Sequence, residues 1–192
     1  MHLPHGPEQP GNPYVRTLHP VLLPDREDHA ADAAWPHVRF DAGSGSFQCT
    51  AAESALSLDD LRDVVGDGDA TGDFDAACAA LAEGDAASAA RDFLALAETD
   101  DAPAAALYGL AASLCATHHD DGALEIAGFL AACPDAPSRA QLLCGFAAYC
   151  LGRKEEARRS LARAARMARG RPEARDELRF AQTILLKQQF VS

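Results

Sequence analysis

From residue 70 onward the small and apolar positions of this chain recur at a spacing of 34 residues without a gap. In registers starting at residues 70, 104 and 138, the eighth place is Ala77, Ala111 and Gly145, and the twentieth is Ala89, Ala123 and Ala157. The twenty-fourth is Phe93, Ala127 and Leu161, and the twenty-seventh is Leu96, Leu130 and Ala164. Glycine stands at the fifteenth place in two registers, Gly84 and Gly152, and His118 takes its place in the middle one. A repeat of this length has a direct physical reading: two antiparallel helices joined by a tight turn, approaching closely where side chains are small, with glycine ending the first helix in the left-handed region. Larger residues at the twenty-fourth place would fill the seam between units. The pattern predicts an all-α fold, a tetratricopeptide-like helical repeat solenoid of three helix pairs over residues 70–171. Breaks at Pro103, Pro134 and Pro137 fall between units, and Pro172 opens a further amphipathic segment over 172–192 that would cap the exposed apolar end of the stack.

The pattern is absent before residue 70. Residues 1–49 hold most of the prolines and five of the seven histidines, and proline both removes a donor and restricts its predecessor, so this stretch reads as an extended or disordered arm. Ser46–Cys49 is its one candidate extended segment. Residues 50–69 read as a short helical segment, with apolar positions at Leu58, Leu61, Val64 and Val65, a stop at Gly66 and a Gly/Asp linker.

Composition agrees with helices packed through small residues: hydrophobic residues make up 48% of the chain and aromatic ones only 6%. Charge is divided unevenly. Residues 1–150 carry 24 acidic and 6 basic side chains, and residues 151–192 carry 5 and 11. The acidic majority argues against nucleic acid as a partner, because affinity there rests on neutralising phosphates. No apolar run approaches the roughly 20 residues of a bilayer span, so stable membrane insertion is not expected. The first residues lack a secretory pattern, which points to the cytoplasm of the cell that makes the protein. Six cysteines without a CxxC pair read as buried free thiols.

Within the predicted repeats, places five, nine and twelve share one face of the first helix of each pair. They read Phe74, Cys78, Leu81; Tyr108, Ala112, Cys115; and Leu142, Phe146, Tyr149. Lining the inner side of a stack, they form an apolar groove with aromatic walls suited to an extended or short helical peptide. The competing reading is that they are core between neighbouring first helices. Cys115, His118 and His119 form a CxxHH cluster, but no fourth ligand is fixed by spacing, and a solvated turn accounts for them; no metal, cofactor or catalytic residue is assigned. The histidines His2, His5, His19, His29 and His37 have no ligand spacing. Arg159, Arg163 and Arg166 lie in the basic series of the last repeat and read as a solvated face or a docking surface for an acidic partner.

The stretches EGDAASAARDFLALAETD, ALYGLAASL and AAYCLGRKEEARRSLARAARMA resemble the class II chaperones of bacterial type III secretion, which guard pore-forming translocator proteins. The residues carrying the likeness are Gly84, Phe93, Asp100, Gly109-Leu110, Cys150-Leu151-Gly152 and Ala157. The resemblance implies a cytoplasmic, ATP-independent holdase. It further implies a helical segment before the repeats through which a homodimer forms, and an aromatic groove at Phe74, Tyr108, Phe146 and Tyr149 that takes a Pro- and Leu-containing stretch of the client. Cys78 and Leu81 depart from the family's aromatic positions, and the arm is longer than its members carry. A non-catalytic peptide-binding holdase is therefore the expected function, and a scaffold or adaptor subunit of a larger assembly is the alternative. Pro20-Val21-Leu22-Leu23-Pro24 in the arm resembles what such a groove accepts, so the arm either occupies its own groove or is a free tail.

Overall fold

A computed structural model describes residues 15–24, 35–49, 55–66, 68–98 and 103–189 of the chain. Among these the protein is mostly helical, with eight α-helices and one small sheet. The helices are α1 (Asp59–Val65), α2 (Phe74–Glu83), α3 (Ala86–Ala97), α4 (Pro103–Ala116), α5 (Asp120–Ala132), α6 (Ser138–Cys150), α7 (Lys154–Ala168) and α8 (Arg175–Gln189). From α2 to α8 each helix packs chiefly on the next in sequence, with lighter contacts between α2 and α4, α4 and α6, and α6 and α8.

The spacing of 34 is visible in the backbone itself. Helices α3, α5 and α7 begin at residues 86, 120 and 154. Each is preceded by a turn of one shape: Gly84, His118 and Gly152 have φ of +92°, +65° and +73°. The next residues, Asp85, His119 and Arg153, share φ/ψ values of −84°/64°, −88°/56° and −77°/70°. Their amides donate to Ala80, Leu114 and Ala148 at 2.8, 2.9 and 2.9 Å, the closing bond of a left-handed helix stop that satisfies carbonyls otherwise stranded at a helix end. The eighth- and twentieth-place alanines Ala77, Ala111, Ala89, Ala123 and Ala157 are all fully buried. A Cβ added at Gly145 would meet Leu161 at 2.7 Å, so the small residue is what lets α6 and α7 close on each other. At Gly109 the added atom would meet the Phe93 ring at 2.5 Å, which makes Phe93 the filler of the seam between α3 and α4.

The region before residue 70 differs from its sequence reading. Strands β1 (Val38–Asp41), β2 (Ser46–Cys49) and β3 (Ala55–Ser57) form an antiparallel sheet in that order. Phe47 is opposite Phe40 on one side and Leu56 on the other, and is fully buried. The β1–β2 loop closes through Asp41, whose carboxylate accepts from the Gly43 amide and the Ser44 hydroxyl; these bonds hold its pKa below the ordinary value. Gly45 supplies the positive φ that the loop needs. Ser46–Cys49 is extended as expected, but it is paired with Val38–Asp41 in a hairpin and is not part of a free arm. Where a helix is expected from Thr50, Ala55–Ser57 is strand and α1 begins only at Asp59. Leu56 and Leu58 are both buried two positions apart, the period of a strand, before Leu58, Leu61 and Val65 take up the helical one. The sheet packs on α4 through β1 and on α5 through β3.

At the other end, a 3-10 turn (Pro172–Ala174) leads into α8, which buries Ala181 and Ile184 and packs on α7 and α6. Among the described residues no helix is long and apolar enough to cross a membrane. Asp100 lies outside the described residues, as do His2, His5 and His29.

Candidate functional site

Helix α4 is apolar around its whole circumference, and every one of its residues is buried. A helix of that kind must be covered on all sides. Part of its cover is α3, α5, α6 and β1. More comes from α2 and Trp35, and from an irregular segment, residues 15–24, which meets α4 at Tyr108 and Ala116.

This segment is held at both ends by groups of quite different character. At one end the Arg16 amide donates to the Ala116 carbonyl at 2.7 Å, one of the acceptors left open where α4 stops. The Arg16 guanidinium donates to Asp120 Oδ1 and Oδ2 at 2.5 and 2.9 Å and to the Cys115 carbonyl at 3.0 Å. It lies 3.0 Å from His118 Nδ1, which acts as the acceptor because a guanidinium has only donors. Its remaining face lies 5.8 Å from the Phe146 ring centre. Asp120, in the first turn of α5, is nearly enclosed, and its hydrogen bond is the main reason the Arg16 pKa is raised above its ordinary value.

At the other end the segment makes a single 3-10 turn at Pro20–Leu22, and its main-chain carbonyls are taken by side chains of the wall. The Tyr108 hydroxyl donates to the Leu22 carbonyl at 3.1 Å, and Arg139 donates to the Leu23 carbonyl. Leu18, Leu22 and Pro24 are buried, while Thr17, His19 and Pro20 are exposed. The His19 ring lies 4.7 Å from Phe180 of α8. Since Arg16 sits at residue 116 and Leu22 at residue 108, the segment runs antiparallel to α4.

The nine residues expected to line an open groove have three fates. Phe74 and Leu81 are buried; Phe74 meets Phe93 edge-on across the first helix pair at 5.4 Å, which places it in core and away from the segment. Tyr108, Ala112, Cys115 and Leu142 are fully buried. Cys78, Phe146 and Tyr149 are half-buried. The wall at α4 is therefore closed rather than open, because the chain's own residues lie on it. Tyr108 is gripped further by Trp35 and by the Arg139 guanidinium, each 5.1 Å from its ring centre.

Of the CxxHH residues, Cys115 is buried and its thiol is pushed far up by burial, reinforced by Asp120 and Cys150. Cys150 is pushed up to about 11 by burial. His118 and His119 belong to the turn. Among the described residues no group of three or more His, Cys, Asp or Glu side chains is placed to hold a metal. Arg159, Arg163 and Arg166 are exposed along α7.

Sequence reasoning overlooks Arg16, Asp120, Arg139 and Phe180. A signal was present for one of them: Arg139 is the only Lys or Arg between Arg91 and Arg153. A lone cation in a strongly acidic stretch is a candidate for a specific partner. Compared with protein-family models, with curated proteins and with solved structures, the chain matches none.

Proposed function

We propose that this chain is a non-catalytic peptide-binding protein of the tetratricopeptide-repeat kind, a cytoplasmic holdase that keeps an apolar, Pro- and Leu-containing segment of another polypeptide in extended form along α4 and α6. One observation carries the reading: the wall already holds an irregular polypeptide, residues 15–24, extended on either side of its one 3-10 turn at His19 and Leu23. It does so mainly through its own side chains and the open carbonyls at the end of α4, groups that can engage the backbone of any suitable segment. Leucine side chains fill the apolar positions, and burial of each such side chain contributes about 1.5–3 kcal/mol. The repeated turn geometry supports the repeat class, and the Gly84, Phe93, Gly109 and Gly152 positions are those through which the chain resembles the translocator chaperones of type III secretion.

The test is an array of ten-residue peptides with spaced leucines and prolines, set against charge-matched polar controls. The full chain is expected to retain the apolar set. Phe146→Ala with Tyr149→Ala, both half-buried, is expected to abolish retention while helical content by circular dichroism stays unchanged. Equal retention of apolar and polar peptides would refute the reading.

A second reading, a scaffold that docks through α7, is favoured by one feature. Arg159, Arg163 and Arg166 are exposed at helical spacing and pair with no carboxylate among the described residues. Reversing their charge abolishes partner capture by a scaffold and leaves a holdase intact.

A further inference from the structure

We infer that residues 15–24 are a built-in ligand of the α4–α6 wall, closing it until a segment of the same chemistry, a guanidinium followed six positions later by leucine, takes its place. The inference rests on the peptide-binding reading above and names both the regulation of that site and the ligand it selects.

Three features distinguish the segment from permanent core. First, among the described residues it pairs with no strand and, apart from one 3-10 turn, has no hydrogen-bonded structure of its own; its anchoring contacts go to wall side chains and helix-end carbonyls. Second, the wall is prepared for a cation. Asp120 is nearly buried, the Cys115 carbonyl and His118 Nδ1 converge on the same point, and the Phe146 ring closes it. Without a guanidinium there, a buried carboxylate would lose its partner, so a neutral segment binds more weakly than a basic one and an acidic segment more weakly still. Third, the second anchor is spaced from the first: Leu22 is fully buried beneath the hydroxyl of Tyr108, and between the anchors Leu18 is also buried while Thr17, His19 and Pro20 are exposed. The ligand signature is thus one Arg and one Leu six residues apart, with an apolar residue two positions after the Arg, where Leu18 is buried.

Exchange has a place to begin. A cleft beside His19, Pro20, Val21 and Leu23 is bordered by three carboxylates, Glu173, Asp176 and Glu177, against one cation, Arg139, a net acidic edge that favours approach by a basic segment. The tether gives the built-in segment a high local concentration, so only a tighter or more abundant ligand displaces it.

The experiment uses a fluorescent peptide with the sequence of residues 15–24, titrated into the full chain and into the full chain carrying Arg16→Glu and Leu22→Ala, together with hydrogen exchange of the Arg16 amide in the unaltered chain. The expected result is binding at least tenfold tighter to the variant. Changing the arginine of the free peptide to glutamate removes that binding, and the Arg16 amide exchanges at least a hundredfold faster than the interior of α4. Equal affinity for the two folded chains, or none for either, overturns the inference, and retention of other apolar peptides on the array would still leave the peptide-binding reading standing. An Arg16 amide that exchanges as slowly as α4 makes the segment permanent core and overturns both. That second measurement decides the matter if the variant does not fold.

Discussion

The middle helix pair, α4 and α5, and the last pair, α6 and α7, share one turn geometry but stand in different surroundings. The last pair follows the repeat pattern closely: Gly152 takes the left-handed position, and α7 presents a strongly amphipathic face with its arginines in solvent. The middle pair departs from it, with His118 forced to φ +65° and a first helix that has no polar face. The departures coincide with the places where the arm binds. His118 contacts Arg16, Asp120 pairs with it, and the all-apolar surface of α4 is what the arm and the sheet cover. A helix pair that departs from its neighbour at defined positions has given those positions to contacts outside the pair.

The largest effect should come from Asp120, the first of two neighbouring aspartates of α5. Asp120→Ala leaves the Arg16 guanidinium without its partner in a partly enclosed site and is expected to cost about 2–3 kcal/mol in thermal or urea unfolding, as for a hydrogen bond to a charged group. A cost below half of that would mean that the pair contributes no more than a surface one. Next is the close approach of the middle pair to the first: Gly109→Ala drives a methyl into the buried Phe93 ring and should destabilise by about 2 kcal/mol in the same assay.

Smaller still, Gly152→His, which copies the middle turn into the last pair, should cost about 1 kcal/mol for a side chain in the left-handed region. The reciprocal His118→Gly should change stability by less, because relief of that strain is offset by loss of the contact with Arg16; unfolding midpoints of the two variants measure the difference directly. The smallest effect belongs to Asp121→Ala. Its pair with Arg153 is exposed on both sides, so the expected change is under about 0.5 kcal/mol and should vanish in high salt.

Much of the helical part was legible because its signals are local and repeat. Ala89, Ala123 and Ala157 mark three close approaches by being small, and the starts of α3, α5 and α7 follow from the same grid. The turn at His118 was legible as a position, though its residue hid the conformation. The sheet was harder to read: its strands are three or four residues long, too short for a period-two pattern to stand out, and the Pro- and His-rich surroundings argue for irregular chain. Val38, Phe40 and Phe47 around the Gly-Ser-Gly turn are its only signature. The site was half legible. Tyr108 and Phe146 could be placed on one face from helical spacing, but Phe74 could not be separated from core, since spacing says which residues share a face and not what covers it. Arg16 and Asp120 meet only through tertiary structure, and no local pattern announces such a pair.

The Arg16–Asp120 contact joins residues 104 positions apart. A nascent chain emerging N-terminus first therefore presents residues 15–24 long before α4 and α5 exist to receive them. Helix pairs built from near neighbours can close quickly, whereas the arm must wait for a long loop to shut, so its docking belongs at the end of folding. Between those two moments the wall stands complete and vacant, and any segment present in that interval meets it without a competitor.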